Sequence, residues 1–375
     1  MLTLGLTDGI TCGAALVQDG MVLAAVNEER LSRLKMAYGF PRQSIAEVFR
    51  IAGMKPQEVN LVTAATVNNY FFDGIRPFDG WIQGDKGFVR NAVFSTAGRF
   101  SQFLDRIPGL ESLYYRARWP IFSTRRRAIR SILKTEFNVT APVEFIDHHL
   151  AHATSAYFTS GFNNAVVVSM DGGGDGLSSR LYIVRGGVFQ QVATTSAYHS
   201  LGNYYAYITH ICGFKAQKHE GKITGLAAHG QPIHLDLLNS MITHQGGQIR
   251  NVGGHVFHGA VTMLEASLPN GWDRANLAAS IQKHAEDLAV AYVRRHITSD
   301  NPKKLALAGG LFANVRINQK MYEIDGVEEI FVHPGMTDGG LAVGAALAPC
   351  VRDRQGPAMS WNREVIHDVY YGADF

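Results

Sequence analysis

The stretch Asp171-Gly172-Gly173-Gly174-Asp175-Gly176 decides how this chain is interpreted. It lies between two apolar runs, Ala165 to Met170 and Arg180 to Val184, which predict two strands joined by a glycine-rich turn. Glycine lets a backbone approach a ligand closely, and the consecutive amides of a tight turn bind anions. We therefore expect Asp171, Gly172, Gly173 and Gly174 to contact the phosphates of a nucleotide.

The N-terminus repeats this plan. Leu2 to Leu6 is apolar, Thr7-Asp8-Gly9 predicts a turn, and a second apolar run extends from Gly13 to Val17. In both copies a second turn leads to a third strand, Met21 to Val26 and Val188 to Val192 respectively. One Asp-Gly turn indicates only a hairpin, but two similar units predict facing phosphate loops across a cleft. By analogy, this is the layout of the actin-like, sugar-kinase and Hsp70-type ATP-binding folds.

Two histidines have the spacing of a metal site. His148 and His152 follow an apolar run, Val143 to Ile146, and lie where a helix is predicted, so that they share one helix face. Asp338, at the start of a later predicted helix, would add a carboxylate, and such a set suits ferrous iron or zinc. The alternative is that the histidines are exposed or capped and that Asp338 is only an N-cap.

Two further segments have features of a nucleotide site. Gly309 and Gly310 follow a predicted strand, Lys304 to Ala308, and Asn314 precedes a predicted helix, an arrangement that serves the base, ribose or phosphate of a nucleotide. Lys222 lies near the start of a predicted helix, where it would meet a phosphate or pair with Glu220.

The region from about residue 68 to residue 138 differs from the rest because it is rich in aromatic and basic residues. We interpret it as an amphipathic helical insertion whose aromatic residues are core and whose arginines form a solvated face. The alternative is a surface that binds an acceptor or a partner with anionic or flat groups. The basic residues concerned are Arg116, Arg118, Arg125, Arg126, Arg127, Arg130 and Lys134.

Composition restricts the class of protein. The 375 residues suffice for two domains or one two-lobed domain, and 46% hydrophobic with 18% charged residues is globular. A net charge of +3 gives no reason to expect a nucleic-acid partner, and no apolar run is long enough to span a membrane. Three scattered cysteines, Cys12, Cys212 and Cys350, suit a reducing cytoplasm, where we expect the protein to be.

In the order and spacing of its motifs, the chain resembles the N-terminal, TsaD-like domain of the O-carbamoyltransferases of the NodU and antibiotic-tailoring type. The resemblance extends from Leu2 to about Ala348. It is based on Glu28-Glu29-Arg30 with Arg33, Lys35, Phe40 and Pro41; His148-His149-Leu150-Ala151-His152-Ala153; Ser200-Leu201-Gly202; Glu220-Gly221-Lys222 with Gly225-Leu226-Ala227; Leu307-Ala308-Gly309-Gly310 with Asn314; and Asp338 followed by Gly344-Ala345-Ala346-Leu347.

The resemblance implies an α/β, actin-like ATPase (ASKHA) fold with two similar lobes, 1–160 and 161–350, and a linker, 351–375, toward a YrdC-like domain. It implies that carbamoyl phosphate and ATP give carbamoyl adenylate in that second domain or in a partner protein. The carbamoyl group would then pass to a hydroxyl of a sugar or natural product. A divalent metal on His148, His152 and Asp338, with Fe²⁺ preferred over Zn²⁺ or Mn²⁺, would hold nucleotide phosphate.

The sequence departs from this family at the first loop. The family commonly has His-Asp-(Ala/Ser)-Ser where this chain has Ile10-Thr11-Cys12-Gly13, so the loop histidine, a candidate general base, is absent. We expect Asp8 or His229 to replace it, with Lys222 also catalytic, or the transfer step to be changed or lost. The alternative function is a nucleotide- and metal-binding partner subunit without independent transfer activity. A sugar kinase of the same fold is less favoured, because such kinases need no paired histidines.

Overall fold

The computed structural model describes residues 1–80, 82, 119–351, 365–366 and 368–372. The first half of the chain forms a five-stranded sheet in the order β3-β2-β1-β5-β7, in which β1, β2 and β3 are antiparallel and β5 and β7 continue parallel to β1. A two-stranded ribbon pairs β4 with β6. The strands are β1 (Leu2–Thr7), β2 (Gly13–Gln18), β3 (Met21–Asn27), β4 (Ala37–Tyr38), β5 (Leu61–Ala65), β6 (Arg76–Pro77) and β7 (Val143–Ile146).

The second half repeats this sheet. Its order is β10-β9-β8-β13-β14, again with three antiparallel strands followed by two parallel ones. The predicted duplication and the actin-like architecture are therefore confirmed. The predicted strand from Arg180 starts earlier, at Leu177, because the β8–β9 pairing resumes after a register shift between Met170 and Gly174. The strands are β8 (Asn164–Gly174), β9 (Leu177–Arg185), β10 (Val188–Ser196), β11 (Ile242–Gln245), β12 (Gln248–Asn251), β13 (Lys304–Ala308) and β14 (Glu329–Val332).

Helices follow the parallel strands and fill the space around both sheets. Short 3-10 turns precede three of the helices, at Ala197–His199, Gly310–Ala313 and Asp338–Gly340. The α-helices are α1 (Glu28–Ser32), α2 (Arg42–Ala52), α3 (Trp119–Phe137), α4 (His148–Thr159), α5 (Leu201–Ile211), α6 (Glu220–Ala227), α7 (Leu235–Met241), α8 (Phe257–Ser267), α9 (Arg274–Arg294), α10 (Val315–Tyr322) and α11 (Leu341–Leu347).

Two helices lie between the sheets and join the halves. Helix α4 follows β7 of the first sheet but packs on β8 and β13 of the second, whereas α11 follows β14 of the second sheet and packs on β1, β2 and β5 of the first. The two helices also pack on each other. Gly344 makes this crossing possible, since a Cβ there would overlap the carbonyl oxygen of Ala151, and Gly5 in β1 admits the backbone of Ala342 in the same way.

Gly344→Ala is expected to lower the free energy of unfolding by about 3 kcal/mol, because the added methyl must push α4 and α11 apart in a close-packed interior. Denaturant unfolding would measure this loss. Gly259→Ala is the matched control: it is also a helical glycine, in α8, with no atom within 4 Å of the added Cβ. Helix propensity predicts a gain of up to ~1 kcal/mol there. Equal effects of the two substitutions would contradict this account of Gly344.

The insertion is only partly described. Its helix α3 confirms a helical segment, whereas Trp81 and residues 83–118, with most of the aromatic and some of the basic residues, lie outside the described residues. The prediction that its arginines form a solvated face is wrong for Arg125. That side chain is fully buried and donates to both carboxylate oxygens of Asp8, at 2.8 and 2.6 Å. Arg127 and Arg130 are exposed, as predicted.

The predicted lobe boundary at residue 160 falls just after α4 ends at Thr159, and the lobe limits stay a prediction. Of the predicted linker 351–375, the described residues touch the first half: the amide of Ala25 in β3 donates to the carbonyl of Tyr371, and the amide of Ile366 donates to that of Thr159. Among the described helices, none combines the length and apolar character needed to cross a membrane.

Candidate metal and nucleotide site

Four side chains from both halves of the chain converge on one point. His148 and His152 lie on one face of the start of α4, which Asp147 caps by accepting from the amide of Leu150. Asp171 lies in β8, and Asp338 opens the 3-10 turn before α11. One potential ligand atom from each of the four lies within 4.8 Å of the others.

The distances within this cluster are short enough for one ion to contact all four side chains, those of His148, His152, Asp171 and Asp338. Asp171 Oδ2 is 2.8 Å from His148 Nε2 and 3.2 Å from His152 Nε2, and Asp338 Oδ1 is 3.8 and 3.5 Å from the same nitrogens. The cluster thus unites the three residues predicted to bind metal. It also contains Asp171, whose carboxylate lies among the imidazoles because β8 packs against α4. The predicted contact of Asp171 with nucleotide phosphate stays a prediction.

The hydrogen bonding around the cluster is incomplete in a way that fits a metal. His152 is fully buried, yet its Nδ1 has no hydrogen-bond partner among the described residues, the nearest contact of its Nε2 is Asp171 Oδ2 at 3.2 Å, and Asp171 Oδ1 also lacks a partner. Buried polar atoms are nearly always paired, and an imidazole nitrogen and a carboxylate oxygen without protein partners are the donors that iron or zinc takes. The residues present therefore fit a divalent cation.

The electrostatics of the cluster favour added positive charge. Burial would lower the pKa of His148, but the charge of Asp171 and the hydrogen bond to it outweigh burial and raise that pKa to about 10. The pKa of Asp171 is held well below its ordinary value, despite burial, mainly by His148 and His149. The side chain of Asp338 is 29% exposed, against 0% for His152, so the cluster opens to solvent on the Asp338 side.

His149 points away from the cluster, as its position on the helix predicts. Its Nδ1 is 2.7 Å from Ser169 Oγ and its Nε2 is 2.9 Å from the carbonyl of Leu177. Burial lowers its pKa to about 4, so that it stays neutral. His333 lies behind the cluster, with Nδ1 3.1 Å from Thr159 Oγ1, and burial followed by the charge of His152 lowers its pKa to about 3.

A set of hydrogen bonds outside the cluster holds His148. Thr66 Oγ1 is 3.1 Å from His148 Nδ1, and Asp175 Oδ2 accepts from the amide of His148 at 2.9 Å. Asp175 also accepts from the amides of Val67 and Asn68. Sequence reasoning missed Thr66; the available signal was a polar residue directly after the largely apolar run from Leu61 to Ala65.

The glycines of the two predicted nucleotide loops have different roles. A Cβ at Gly174 would overlap the ring of His148, and Gly309, with φ of 102°, would overlap the backbone of Met170. These two glycines are therefore required by packing. Gly310 meets only Asp171 Cβ, at 3.9 Å, so its open side leaves room for a ligand. Contacts of Gly172, Gly173, Gly174, Gly309 and Gly310 with nucleotide stay predictions.

Asn314 belongs to a polar network beside the Gly310 turn. Its Oδ1 caps α10 by accepting from the amides of Arg316 and Ile317, and its Nδ2 donates to Gln282 Oε1 at 2.8 Å. Tyr205 also donates to Gln282, at 2.8 Å. The side chain is thus fixed in place, and its predicted contact with nucleotide stays a prediction.

The three residues predicted to be catalytic do not join the cluster. Both oxygens of Asp8 accept from Arg125, and this bidentate pairing favours a structural role. Lys222 is exposed in α6, with Nζ 5.4 Å from the centre of the Phe214 ring, and His229 is exposed just beyond α6. Their catalytic roles stay predictions.

Comparison with known proteins shows which protein family the chain belongs to. Residues 4–347 match the protein-family model described as carbamoyltransferase N-terminus. The chain belongs to this carbamoyltransferase family. The nodulation protein NolNO of Sinorhizobium fredii is 29% identical over 370 residues, which cover 96% of this chain and 48% of that protein. The nodulation protein NolO of Bradyrhizobium diazoefficiens is 31% identical over 239 residues, 61% of this chain and 42% of that one.

The chain thus spans about half the length of the curated relatives it matches. Among solved structures, HypF of T. kodakarensis aligns with a TM-score of 0.50 at 13% identity, covering 92% of this chain and 46% of that one. At this identity the likeness concerns the fold alone, and it agrees with the duplicated sheets described above.

One family motif has a structural role in this chain. Glu28, of Glu28-Glu29-Arg30, is fully buried and accepts from the amides of Gln43 and Ser44 and from the Ser44 hydroxyl. Its carboxylate therefore caps the N-terminus of α2, although Glu28 lies well before this helix in the sequence. A negative charge at this end is favoured by the helix dipole. Glu29 accepts from the amide of Met36 and shapes the same loop.

Proposed function

We propose that this chain is the carbamoyl-transfer domain of an O-carbamoyltransferase. It would hold carbamoyl adenylate and pass the carbamoyl group to a hydroxyl of a sugar or natural product. The observation that carries the proposal is the buried cluster of His148, His152, Asp171 and Asp338, in which His152 Nδ1 and Asp171 Oδ1 lack hydrogen-bond partners among the described residues, in a chain of this family. ATP and carbamoyl phosphate would be the source of the adenylate.

The four cluster residues would hold the metal, with Asp171 added to the three predicted from the sequence. When bound, a divalent ion supplies positive charge that stabilises negative charge on phosphate or carbonyl oxygen. The neighbouring Gly310 turn leaves space on the side of Asp171 for the adenylate, and the exposed side of Asp338 is the side from which an acceptor would approach.

The chemistry requires one new bond and one proton acceptor. The acceptor hydroxyl oxygen attacks the carbamoyl carbon, the bond from that carbon to the phosphate oxygen breaks, and AMP leaves with the bonding electrons. The hydroxyl proton must go to a base. Asp8 is already paired with Arg125, so we propose a different proton acceptor. The candidate within this chain is His229, and the alternative is solvent. In either case proton transfer would be slow.

The alternative proposal is a nucleotide- and metal-binding subunit without independent transfer activity. The observation in its favour is the first loop, where Ile10 stands at the position of the family's histidine. This loop lies at the site: the Thr11 methyl is 3.3 Å from the position that a Cβ of Gly339 would occupy, next to Asp338.

The test separates activation from transfer. The purified chain of 375 residues is expected not to exchange pyrophosphate into ATP when given carbamoyl phosphate, because the actin-like cleft that the described residues form is assigned to transfer. It is expected to bind preformed carbamoyl adenylate in calorimetry. Radiolabelled carbamoyl transfer to a hydroxyl acceptor should then appear only with the adenylate or with an added YrdC-like protein.

Two results would decide against these proposals. Strong pyrophosphate exchange by the chain alone would contradict the division of labour between domains. Binding of the adenylate without any transfer, even over long incubation with a panel of sugar and polyketide acceptors, would favour the binding subunit.

A further inference from the structure

Thr66 occupies an unusual position beside the cluster. It directly follows β5, and its φ of 67° is in the left-handed region, which a β-branched residue rarely adopts because its Cβ substituents crowd the backbone. Residues held in such a conformation concentrate at functional sites, where the surroundings compensate the strain. The contacts of Thr66 show which surroundings these are.

The backbone around Thr66 is fixed from both sides. Arg125 Nη1 donates to the carbonyl of Thr66 at 2.6 Å and Nη2 to that of Ala65 at 2.9 Å, while Asp8 holds the guanidinium. On the other side, Asp175, from the second half of the chain, accepts from the amides of Val67 and Asn68. Arg125 and Asp175 are thus charged partners of backbone atoms, and such hydrogen bonds are of the stronger kind.

The side chain of Thr66 faces His148 on the ring nitrogen opposite the cluster. Thr66 Oγ1 is 3.1 Å from His148 Nδ1, whereas His148 Nε2 faces Asp171 and Asp338. A hydroxyl that accepts from Nδ1–H leaves the lone pair of Nε2 free for a ligand and sets the ring orientation. Among the described residues, Thr66 is the hydrogen-bond partner of His148 Nδ1.

We propose that Thr66 is a positioning residue for the metal ligand His148, and that Arg125 and Asp175 hold it in reach of the ring. The proposal rests on the metal site proposed above. It connects the insertion helix α3, through Arg125, to the geometry of a ligand on α4, and it explains why a strained threonine stands where glycine or asparagine would adopt the backbone more readily.

Thr66→Val tests the hydroxyl while keeping the β-branched shape and the backbone strain. We expect Co²⁺ to bind the purified chain about 10- to 100-fold more weakly, the usual contribution of such outer partners, with a changed visible absorption spectrum because the ring is no longer oriented. Thr66→Ser keeps a hydroxyl and should restore both the affinity and the spectrum. Thr66→Gly, which relieves the strain but lacks the hydroxyl, should fold and still bind weakly.

Thr209→Val is the matched control, because Thr209 is a buried threonine whose hydroxyl donates to a backbone carbonyl, that of Tyr205, away from the cluster. It should leave Co²⁺ affinity unchanged. If Co²⁺ binds the parent chain and Thr66→Val and Thr66→Gly equally, with one spectrum, the role of Thr66 is overturned while the metal site stands. If the parent chain binds no Co²⁺, Zn²⁺ or Fe²⁺, the proposed metal site itself is overturned.

Discussion

His152→Ala is expected to remove the bound divalent metal from the purified chain and to abolish carbamoyl transfer. His152 supplies a ligand atom from the middle of the cluster and is fully buried, so nothing from solvent replaces it easily. The loss of affinity should exceed the roughly 10- to 100-fold that an outer partner contributes. His148→Ala and Asp171→Ala should act in the same way, and Asp338→Ala should weaken binding strongly. Elemental analysis after dialysis measures the metal content of each variant per mole of folded chain.

His149→Ala is the control for this series. His149 is equally buried and adjacent in sequence, but its nitrogens bond Ser169 and Leu177 and it does not belong to the cluster. Its substitution should cost stability and leave the metal content near that of the parent chain. Unchanged metal content in His152→Ala would show that the cluster is not the site.

Ile10→His is expected to raise the rate of carbamoyl transfer from supplied adenylate by about 10²-fold, within the range that general-base catalysis contributes. It restores the imidazole of the family's first loop. The backbone of this loop is held near the cluster, since Ile10 forms a β-bridge with Tyr38 and Thr11 lies beside Gly339. An imidazole with an ordinary pKa near about 6.5 should also make the rate rise with pH between about 6 and 7.

Ile10→Phe distinguishes this effect from one of shape, because it adds a ring of similar size without a titratable nitrogen. Rate measurements on both variants over that pH range are the check. Equal rates in the two variants would mean that the missing histidine does not limit transfer in this chain.

The duplicated fold could be predicted from sequence because its signals are local. Each Asp-Gly turn lies between apolar runs, and the periodicity of neighbouring residues determines both strands and turn. The spacing of His148 and His152 predicts a shared helix face in the same way. The exact start of β9 could not be predicted, because a register shift in its pairing with β8 decides it.

The remainder of the site depends on contacts between residues far apart in the chain. Arg125 pairs with Asp8 across 117 positions, and an arginine in a basic run gives no sign that it will be buried. Asp171 joins the histidines because β8 lies under α4, which is a matter of sheet order and helix packing. Thr66 likewise becomes informative only when His148 is beside it.

The crossing of α4 and α11 has a consequence for the lifetime of the protein. Each half contributes a helix to the sheet of the other, and the cluster takes its ligands from β8, from α4 and from the turn before α11. An ion held there would tie the two halves together, and unfolding would have to release it. At a free metal concentration 100 times Kd, such linkage adds about 2.7 kcal/mol to stability. Metal supply would then govern how fast the chain is degraded, so that starvation for the ion would remove the protein as well as its activity.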